Sequence, residues 1–327
     1  YITAGSGDYK VYLFHKDSND PLWSYTTGDT VRSVAISADG EYIAAGSQNQ
    51  KVYLFAKASS TPLWNYETGD RVNSVTISAD GQYIAAGSYD NKIYLFDKDS
   101  STPLWSYSTG GKVRSVAISA DGEYVTVGSD DNKVYLFDKD SSTPLWSYNL
   151  GDDVASMAIS ADGEYIVAGE IHHNHCEVVL FDKDNSTPLW RYETRHYVYS
   201  VAISADGNYV TVGSYDVNVT NNVHIFDKAS STPLWNYTTG AVQSVAISAD
   251  GVYITAGSDD DNVYAFRNDP VPRPSILPYG PRSGSDVLND TTLGWFPGSD
   301  DIANLTFDVY LSWIKTDVED NNSAARV

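Results

Sequence analysis

Cysteine is almost absent from this chain of 327 residues, in which Cys176 is the single cysteine. One cysteine excludes an intrachain disulfide, a cysteine-rich zinc module and a thiol redox pair. Basic residues are also scarce, with 21 Lys and Arg against 43 Asp and Glu and a formal net charge of −22. Because so acidic a chain repels nucleic acid and anionic lipid, we expect no nucleic-acid partner.

Long apolar runs are missing as well. No stretch reaches the roughly 18 uninterrupted apolar residues that cross a bilayer, and no positively charged start precedes an apolar run. We therefore expect no direct membrane insertion in this segment. Tyr1 stands in the middle of a repeat, so we expect further sequence upstream of it.

A repeat of about 41 residues occupies most of the chain. Its Pro-Leu-Trp triplet recurs in step with an Ile-Ser-Ala-Asp-Gly segment and with a motif that ends in Phe. One unit predicts strands over 72–78, 83–87, 92–97 and 104–107, separated by turn residues. Four short strands per unit at this period are typical of a β-propeller.

The tryptophan of each Pro-Leu-Trp triplet shares one face of the fourth strand with other aromatic residues. Both faces of the third strand are apolar, as expected for a sheet that lies between two neighbours. We therefore predict that the tryptophans pack between blades and are largely buried. They are Trp23, Trp64, Trp105, Trp146, Trp190 and Trp235.

The run from Gly87 to Asp97 resembles a WD repeat, with Phe-Asp where that family often has Trp-Asp. The segment 97–110 is also similar to a quinoprotein-type repeat. A Thr-Gly dipeptide replaces the Gly-His that opens many WD repeats and supplies their buried His network, which points away from the eukaryotic intracellular subfamily. The close likeness among the units resembles prokaryotic, above all archaeal, cell-surface proteins with amplified propeller repeats.

The strand count predicts an all-β, seven-bladed propeller of four-stranded antiparallel blades over residues 1–267. Second and third strands occur seven times but first and fourth strands six times, so we expect an upstream stretch to complete the ring. Residues 268–282 predict a Pro-rich linker. Residues 283–327 resemble the start of a β-sandwich module of fibronectin type III-like or immunoglobulin-like type, which is incomplete.

A histidine-rich insertion in the fifth unit is the one candidate metal site. It carries His172, His173, His175 and Cys176. Imidazole and thiolate bind zinc or copper, but a closed site needs four ligands and a supporting shell. We favour a polar hairpin insertion that holds no tight structural metal.

Six Asn-x-Ser/Thr patterns are candidate glycosylation sites if the protein is exported. They start at Asn185, Asn218, Asn236, Asn289, Asn304 and Asn321. The Ser-x-Asp-Asn turns and the tract 259–262 could hold Ca²⁺, but no twelve-residue calcium loop is present, so we favour tight turns. No other cofactor is expected.

No catalytic motif is recognisable, and we expect no catalytic residue and no enzyme activity. The favoured interpretation is an extracellular or cell-surface propeller that binds proteins or surface glycans, or that self-associates in an envelope layer or filament. One alternative is an enzyme of quinoprotein or lactonase type that uses the central channel, with unlike polar residues on the top-face turns. The first four units barely differ, which argues against it. Another alternative is an intracellular WD-type scaffold.

Overall fold

The computed structural model describes residues 1–171, 176–194, 196–215 and 222–268 of the chain. Within these ranges the chain forms 26 strands and no helix, which confirms the all-β prediction. None of the described residues belongs to a helix that could cross a membrane. The predicted linker and sandwich module lie outside the described residues, apart from Asn268.

The strands fall into four classes by their place in the repeat. The first strands are β4 (Val31–Ile36), β8 (Val72–Ile77), β12 (Val113–Ile118), β16 (Val154–Ile159), β20 (Val198–Ile203) and β24 (Val242–Ile247). The second strands are β1 (Ile2–Gly5), β5 (Tyr42–Ser47), β9 (Tyr83–Ser88), β13 (Tyr124–Ser129), β17 (Tyr165–Glu170), β21 (Tyr209–Ser214) and β25 (Tyr253–Ser258).

The remaining two classes complete the blades. The third strands are β2 (Lys10–Phe14), β6 (Lys51–Ala56), β10 (Lys92–Asp97), β14 (Lys133–Asp138), β18 (Glu177–Asp182), β22 (Val223–Asp227) and β26 (Asn262–Arg267). The fourth strands are β3 (Pro21–Thr26), β7 (Trp64–Glu67), β11 (Trp105–Ser108), β15 (Trp146–Asn149), β19 (Asn185–Glu193) and β23 (Trp235–Tyr237).

These strands form seven antiparallel sheets, the blades of a seven-bladed propeller, numbered 1 to 7 along the chain. Blades 2 to 6 have four strands in the order first, second, third, fourth. Blade 1, with β1 to β3, has no first strand, and blade 7, with β24 to β26, has no fourth strand among the described residues. First strands of neighbouring blades adjoin one another, so they are the inner strands and the fourth strands are the outer ones.

The core lies between the blades. Ile93, Tyr94, Leu95 and Phe96 of β10 are all buried, on both faces of the strand, because a blade is covered on each side by its neighbours. Neighbouring blades approach each other most closely at a glycine of the second strand. A Cβ on Gly87 would stand 2.4 Å from Cγ1 of Val113 in the next inner strand. Any larger residue at this position would push the two blades apart.

Hydrogen bonds also join neighbouring blades. The backbone N–H of Ala79, at the end of blade 3's inner strand, donates to the carbonyl of Ala120 in blade 4 at 2.9 Å. The same bond recurs from Ala38 to Ala249 across blades 2 to 7. Within the inner strands, Ser74 Oγ accepts the backbone N–H of Val116 in the next blade at 3.2 Å. The blades are therefore held by repeated polar contacts as well as by apolar packing.

Each outer-strand tryptophan reaches the next blade. The indole N–H of Trp105 donates to the carbonyl of Lys139 at 2.6 Å, and its ring lies 5.3 Å from that of Phe137. Trp64 and Trp146 make the same contacts. All three are partly buried. The outer strand is the edge of its sheet, so solvent reaches the rings from outside.

Candidate functional site: the upper rim

Antiparallel pairing gives the propeller two unlike faces. The connections from an outer strand to the next inner strand lie on the same face as the turns between second and third strands, since Gly69 N donates to Asp90 Oδ2 at 2.7 Å. We call this the upper face. The turns from first to second and from third to fourth strands lie on the lower face, where Lys57 N donates to the carbonyl of Glu41 at 2.8 Å.

The lower face repeats the same chemistry from blade to blade. In its Ser-Ala-Asp-Gly turn, Asp80 Oδ1 accepts from Ser78 Oγ at 2.6 Å and from Gln82 N at 2.9 Å. The lysines beside these turns are paired, as Lys98 is with Asp99 at 2.8 Å and Lys139 with Asp140 at 2.7 Å. A surface of near-identical units offers little that would distinguish one blade from another.

Part of the upper face also repeats, and it takes the place of the Gly-His network of WD repeats. Asp90 Oδ2 accepts from Tyr94 OH at 2.6 Å as well as from Gly69 N, and Thr68 Oγ1 donates to the carbonyl of Gln50 at 2.9 Å. Burial and the bond to Asp90 raise the pKa of Tyr94. The Thr-Gly dipeptide thus supplies a hydroxyl and an N–H that fix this turn.

Three positions on the upper face differ from blade to blade, and we call them together the upper rim. One is the bulge residue, which shifts the register of each inner strand near its start. The bulge residues of blades 2 to 7 are Arg32, Asn73, Arg114, Ala155, Tyr199 and Gln243.

The other two positions are joined by a backbone bond. One position is the first residue of the turn between the second and third strands, and the other is the residue just before the inner strand. The backbone N–H of the first donates to the carbonyl of the second, as Tyr89 donates to Arg71 at 3.0 Å. The accepting residues are Thr30, Arg71, Lys112, Asp153, Tyr197 and Ala241. The donating residues are Gln48, Tyr89, Asp130, Ile171, Tyr215 and Asp259.

Blades 3 and 4 bring cations to this rim. The guanidinium carbon of Arg71 lies 4.2 Å from the centre of the Tyr89 ring, and Lys112 Nζ lies 5.1 Å from it. Arg114 forms ion pairs with Asp130 and, at 3.2 Å, with Asp153. Burial lowers the pKa of Arg114, but the bond to Asp130 and the negative charges of Asp130 and Asp153 together outweigh it, so the pKa is raised. Arg71, Lys112 and Tyr89 form a cation-aromatic cluster at the boundary between the two blades.

Blade 6 brings an aromatic cluster. Tyr199 lies 5.9 Å from Tyr197 and 6.0 Å from Tyr215, measured between ring centres, and Tyr197 lies 6.1 Å from Tyr215. Burial, with the two neighbouring tyrosines, raises the pKa of Tyr199. All three rings keep part of their surface exposed. The rim therefore presents cations on one pair of blades and tyrosines on another.

Blade 5 places a buried acid beneath the rim. Glu170 occupies the end of the second strand, where blades 2, 3, 4, 6 and 7 have serine, and it is 2% exposed. Its Oε2 accepts the backbone N–H of Glu177 at 3.0 Å, whereas Oε1 has no hydrogen-bond partner among the described residues. Burial, with the charges of Glu177 and Asp152, raises the pKa of Glu170 to about 7. The carboxyl group is thus placed where its ionised form is costly.

The histidine-rich insertion is only partly described. Cys176 is buried, and its carbonyl accepts the N–H and the Oγ1 hydroxyl of Thr194. His172, His173 and His175 lie outside the described residues. Among the residues that are described, no group of three or more His, Cys, Asp or Glu side chains could hold a metal ion.

Two of the six candidate glycosylation sites are described. Asn185 and Asn236 are both exposed, and Asn185 Oδ1 accepts the N–H of Thr187 at 2.8 Å. Asn218, Asn289, Asn304 and Asn321 lie outside the described residues. In the acidic tract 259–262, Asp260 Oδ2 accepts from Tyr264 OH and Gly240 N, as in the other repeated turns.

The sequence interpretation did not single out the upper rim. The first four units are nearly alike over most of their length, and the residues on either side of the first valine of each unit are among the few that differ. Aligning the units on that valine shows Arg71, Lys112 and Asp153 in one column and Tyr89 and Asp130 in another. The signal was present, but it occupies three separated positions among many identical ones.

Comparison with known families gives two matches. Residues 48–269 match the PQQ_2 family model, described as outer membrane protein assembly factor BamB. Residues 19–55 match the WD40 model, described as WD domain, G-beta repeat. Both agree with a repeat protein built from propeller blades. No curated protein matches the chain.

Proposed function

Because the chain belongs to the family described as outer membrane protein assembly factor BamB, we propose that it is a non-enzymatic propeller that binds other proteins through its upper rim. The family description names an assembly factor, which favours a protein partner over a small-molecule substrate. The WD40 match supports the same role, since propellers of that kind commonly mediate protein–protein interaction.

One observation carries the proposal: blade-specific side chains gather on one face of a molecule whose other face repeats. Fold residues such as Gly87 and Trp105 recur in every complete unit because each blade must pack in the same way. The rim residues lie outside that packing and carry Tyr and Arg, which are enriched at protein interfaces. Their variety is what recognition of one asymmetric partner requires.

We further propose that the protein acts at the cell surface or outside the cell. Exposed Asn185 and Asn236 support this, because an acceptor asparagine must be reachable for a glycan to be attached. Mass spectrometry of the native protein tests the assignment, with a glycan expected at one or more of the six acceptor sites. Unmodified peptides covering all six asparagines, together with a cytosolic location, would reject it in favour of an intracellular scaffold.

An enzyme that uses the central channel is the second candidate, and the same unlike residues around the upper rim support it. The two proposals differ in what they require of the rim. A binding surface tolerates conservative changes such as Tyr199→Phe, whereas a reaction centre loses its activity when one reacting group is removed.

Chemical cross-linking in native cells, followed by mass spectrometry, tests the binding proposal. Lys112 on the upper rim and Lys228 on the lower face supply a matched pair of reactive amines, because each lies about 5 Å from a tyrosine ring and neither forms an ion pair with a described residue. We expect cross-links to a second protein from Lys112 and few from Lys228. Equal yields from both lysines, or cross-links confined to Lys228, would contradict a partner on the upper rim.

A further inference from the structure

The cation-aromatic cluster of Arg71, Tyr89 and Lys112 spans two blades. Arg71 immediately precedes the inner strand of blade 3, and Lys112 immediately precedes that of blade 4. Tyr89 lies in the turn between the second and third strands of blade 3. Both cations lie within about 5 Å of one ring, at distances that cation–π contacts favour. The ring therefore brings two positive charges together on a protein whose net charge is −22.

The nearby carboxylates are engaged elsewhere. Asp70 Oδ1 accepts the backbone N–H of Arg71, not its guanidinium, at 2.7 Å. Asp90 is bonded to Gly69 N and Tyr94 OH, and Asp131 to Gly110 N and Tyr135 OH. Asp130 is paired with Arg114. Each acidic side chain around the cluster thus serves a turn or another cation.

Neither Arg71 nor Lys112 forms an ion pair with any residue that the structure describes. The lower face of the same two blades is different, because Lys98 and Lys139 are each paired with the aspartate that follows them. Other described lysines also lack an ion pair, but Arg71 and Lys112 differ from them in sharing one aromatic ring. Their positive potential faces solvent on the upper rim.

We propose that Arg71, Tyr89 and Lys112 form the acceptor for a carboxylate-rich polypeptide segment of the partner. An arginine fork binds a carboxylate through two parallel hydrogen bonds, and a lysine adds a point charge for a second acid along the segment. The Tyr89 ring orders both cations and offers an apolar contact. The proposal rests on the proposed function, since it names the chemistry of the partner that the upper rim binds.

A polypeptide suits this site better than an anionic polysaccharide. Arg71 and Tyr89 are in contact, and Arg and Tyr are among the residue types that dominate the energetics of protein interfaces. The three tyrosines of blade 6 lie on the same rim and supply further contact area of that kind. Among the described cations, Arg71 and Lys112 are therefore the pair best placed to read acidic side chains on a protein.

Binding of fluorescein-labelled poly-L-glutamate, followed by anisotropy at low salt, tests the proposal. We expect saturable binding that weakens by at least about tenfold in the double variant Arg71→Ala, Lys112→Ala, since each lost charged contact is worth more than a neutral one. The matched control is Lys98→Ala, Lys139→Ala, which removes two positive charges from the lower face of the same blades. It should retain the wild-type affinity within about twofold.

Further arms identify the class of ligand. The double variant Arg71→Lys, Lys112→Arg keeps both charges and should keep most of the polyglutamate binding. If the control variant Lys98→Ala, Lys139→Ala lost as much affinity as Arg71→Ala, Lys112→Ala, only the overall charge would matter and the site would be overturned. Poly-L-glutamine that competes as well as polyglutamate, or polygalacturonate that binds more tightly, would overturn the acidic polypeptide. Salt-sensitive self-association of the protein alone, lost in the double variant, would identify a second copy as its source.

The cross-linking experiment separates this inference from the proposed function. Cross-links from Lys112 together with no polyglutamate binding would reject the acidic partner and keep the upper rim as the interface. Absence of both would reject the two proposals together.

Discussion

At the scale of single residues, the repeat shows what each side chain contributes, because the same position is present in several blades. Glu170 stands where blades 2, 3, 4, 6 and 7 have serine and is buried with one oxygen that has no hydrogen-bond partner among the described residues. Gly87 stands where a Cβ would meet the next blade. The equivalent positions in other blades thus serve as internal comparisons for Glu170, which departs from the repeat, and for Gly87, which follows it.

Replacing Glu170 by Ser should stabilise the protein in a pH-dependent way. The folded-state pKa of about 7 lies above the usual value of 4.5, so the native state binds the extra proton between these values. The wild type therefore loses stability as the pH rises from about 4.5 to 7. We expect the gain from Glu170→Ser, measured by urea unfolding, to be up to about 2 kcal/mol larger at pH 8 than at pH 5.

The exposed residue Glu67 provides the control for this prediction. Glu67→Ser should change stability by no more than about 0.5 kcal/mol at both pH values. A gain from Glu170→Ser that is the same at both pH values would mean that Glu170 is not held with a raised pKa.

Adding one methyl group at Gly87 should destabilise the interface between blades 3 and 4. Cβ would stand 2.4 Å from Val113 Cγ1 and 3.1 Å from Val116 Cγ1, so the inner strand must move. We expect Gly87→Ala to lower the free energy of unfolding by about 1 to 3 kcal/mol. Gly7→Ala is the control, because Gly7 lies in a turn where no described atom stands within 4 Å of an added Cβ, and it should have a smaller effect.

At the scale of strands and turns, each element of a blade has its own environment. The third strand is buried on both faces, the inner strand packs on its neighbours through a serine and two valines, and the outer strand is an edge with one exposed face. The leucines of the Pro-Leu-Trp triplets are about half exposed, between 49 and 53%. The outer strand therefore depends on its tryptophan and tyrosine for attachment.

Truncating Trp105 tests that dependence. Trp105→Ala removes the contact with Phe137 and the hydrogen bond to Lys139, and we expect a loss of about 3 kcal/mol, at the low end for a tryptophan because the ring is partly exposed. Leu104→Ala, on the exposed face of the same segment, should cost less than about 1 kcal/mol. Equal losses for both variants would show that the ring does not join the blades.

At the scale of the whole molecule, the two features that matter are the distribution of charge and the contact between the first and last blades. Acidic residues lie on both faces, whereas Arg71 and Lys112 share one tyrosine ring on the upper rim of blades 3 and 4. Phe14 of blade 1 is partly buried, while Phe55, Phe96 and Phe137 are fully buried at the equivalent position. Among the described residues, blade 7 has no outer strand whose tryptophan could cover Phe14.

Added salt should stabilise this protein. With a net charge of −22, the folded chain repels itself, and counterions screen the repulsion between exposed carboxylates. We expect the midpoint of thermal unfolding to rise between about 0.05 and 1 M NaCl. The rise should shrink at pH 4, where part of the carboxylates are protonated, and a midpoint that falls with salt at pH 7 would contradict the prediction.

The sequence by itself determined the architecture, because a propeller is the same local pattern repeated. Strands predicted over 72–78, 83–87, 92–97 and 104–107 agree with β8 to β11 within about one residue, since alternation and turn residues act over a few positions. The count of seven second and third strands against six first and fourth strands is also confirmed.

Only the tertiary structure decided where unlike residues meet. Arg71, Tyr89 and Lys112 are separated by some 20 residues from one to the next. They form a cluster because a backbone bond joins the turns of Tyr89 and Arg71 in blade 3, and the inner strand of blade 4, which Lys112 precedes, packs against that blade. The partial exposure of the tryptophans likewise depends on the outer strand being an edge. Burial and charge pairing are properties of neighbours in space, which a pattern along the chain does not contain.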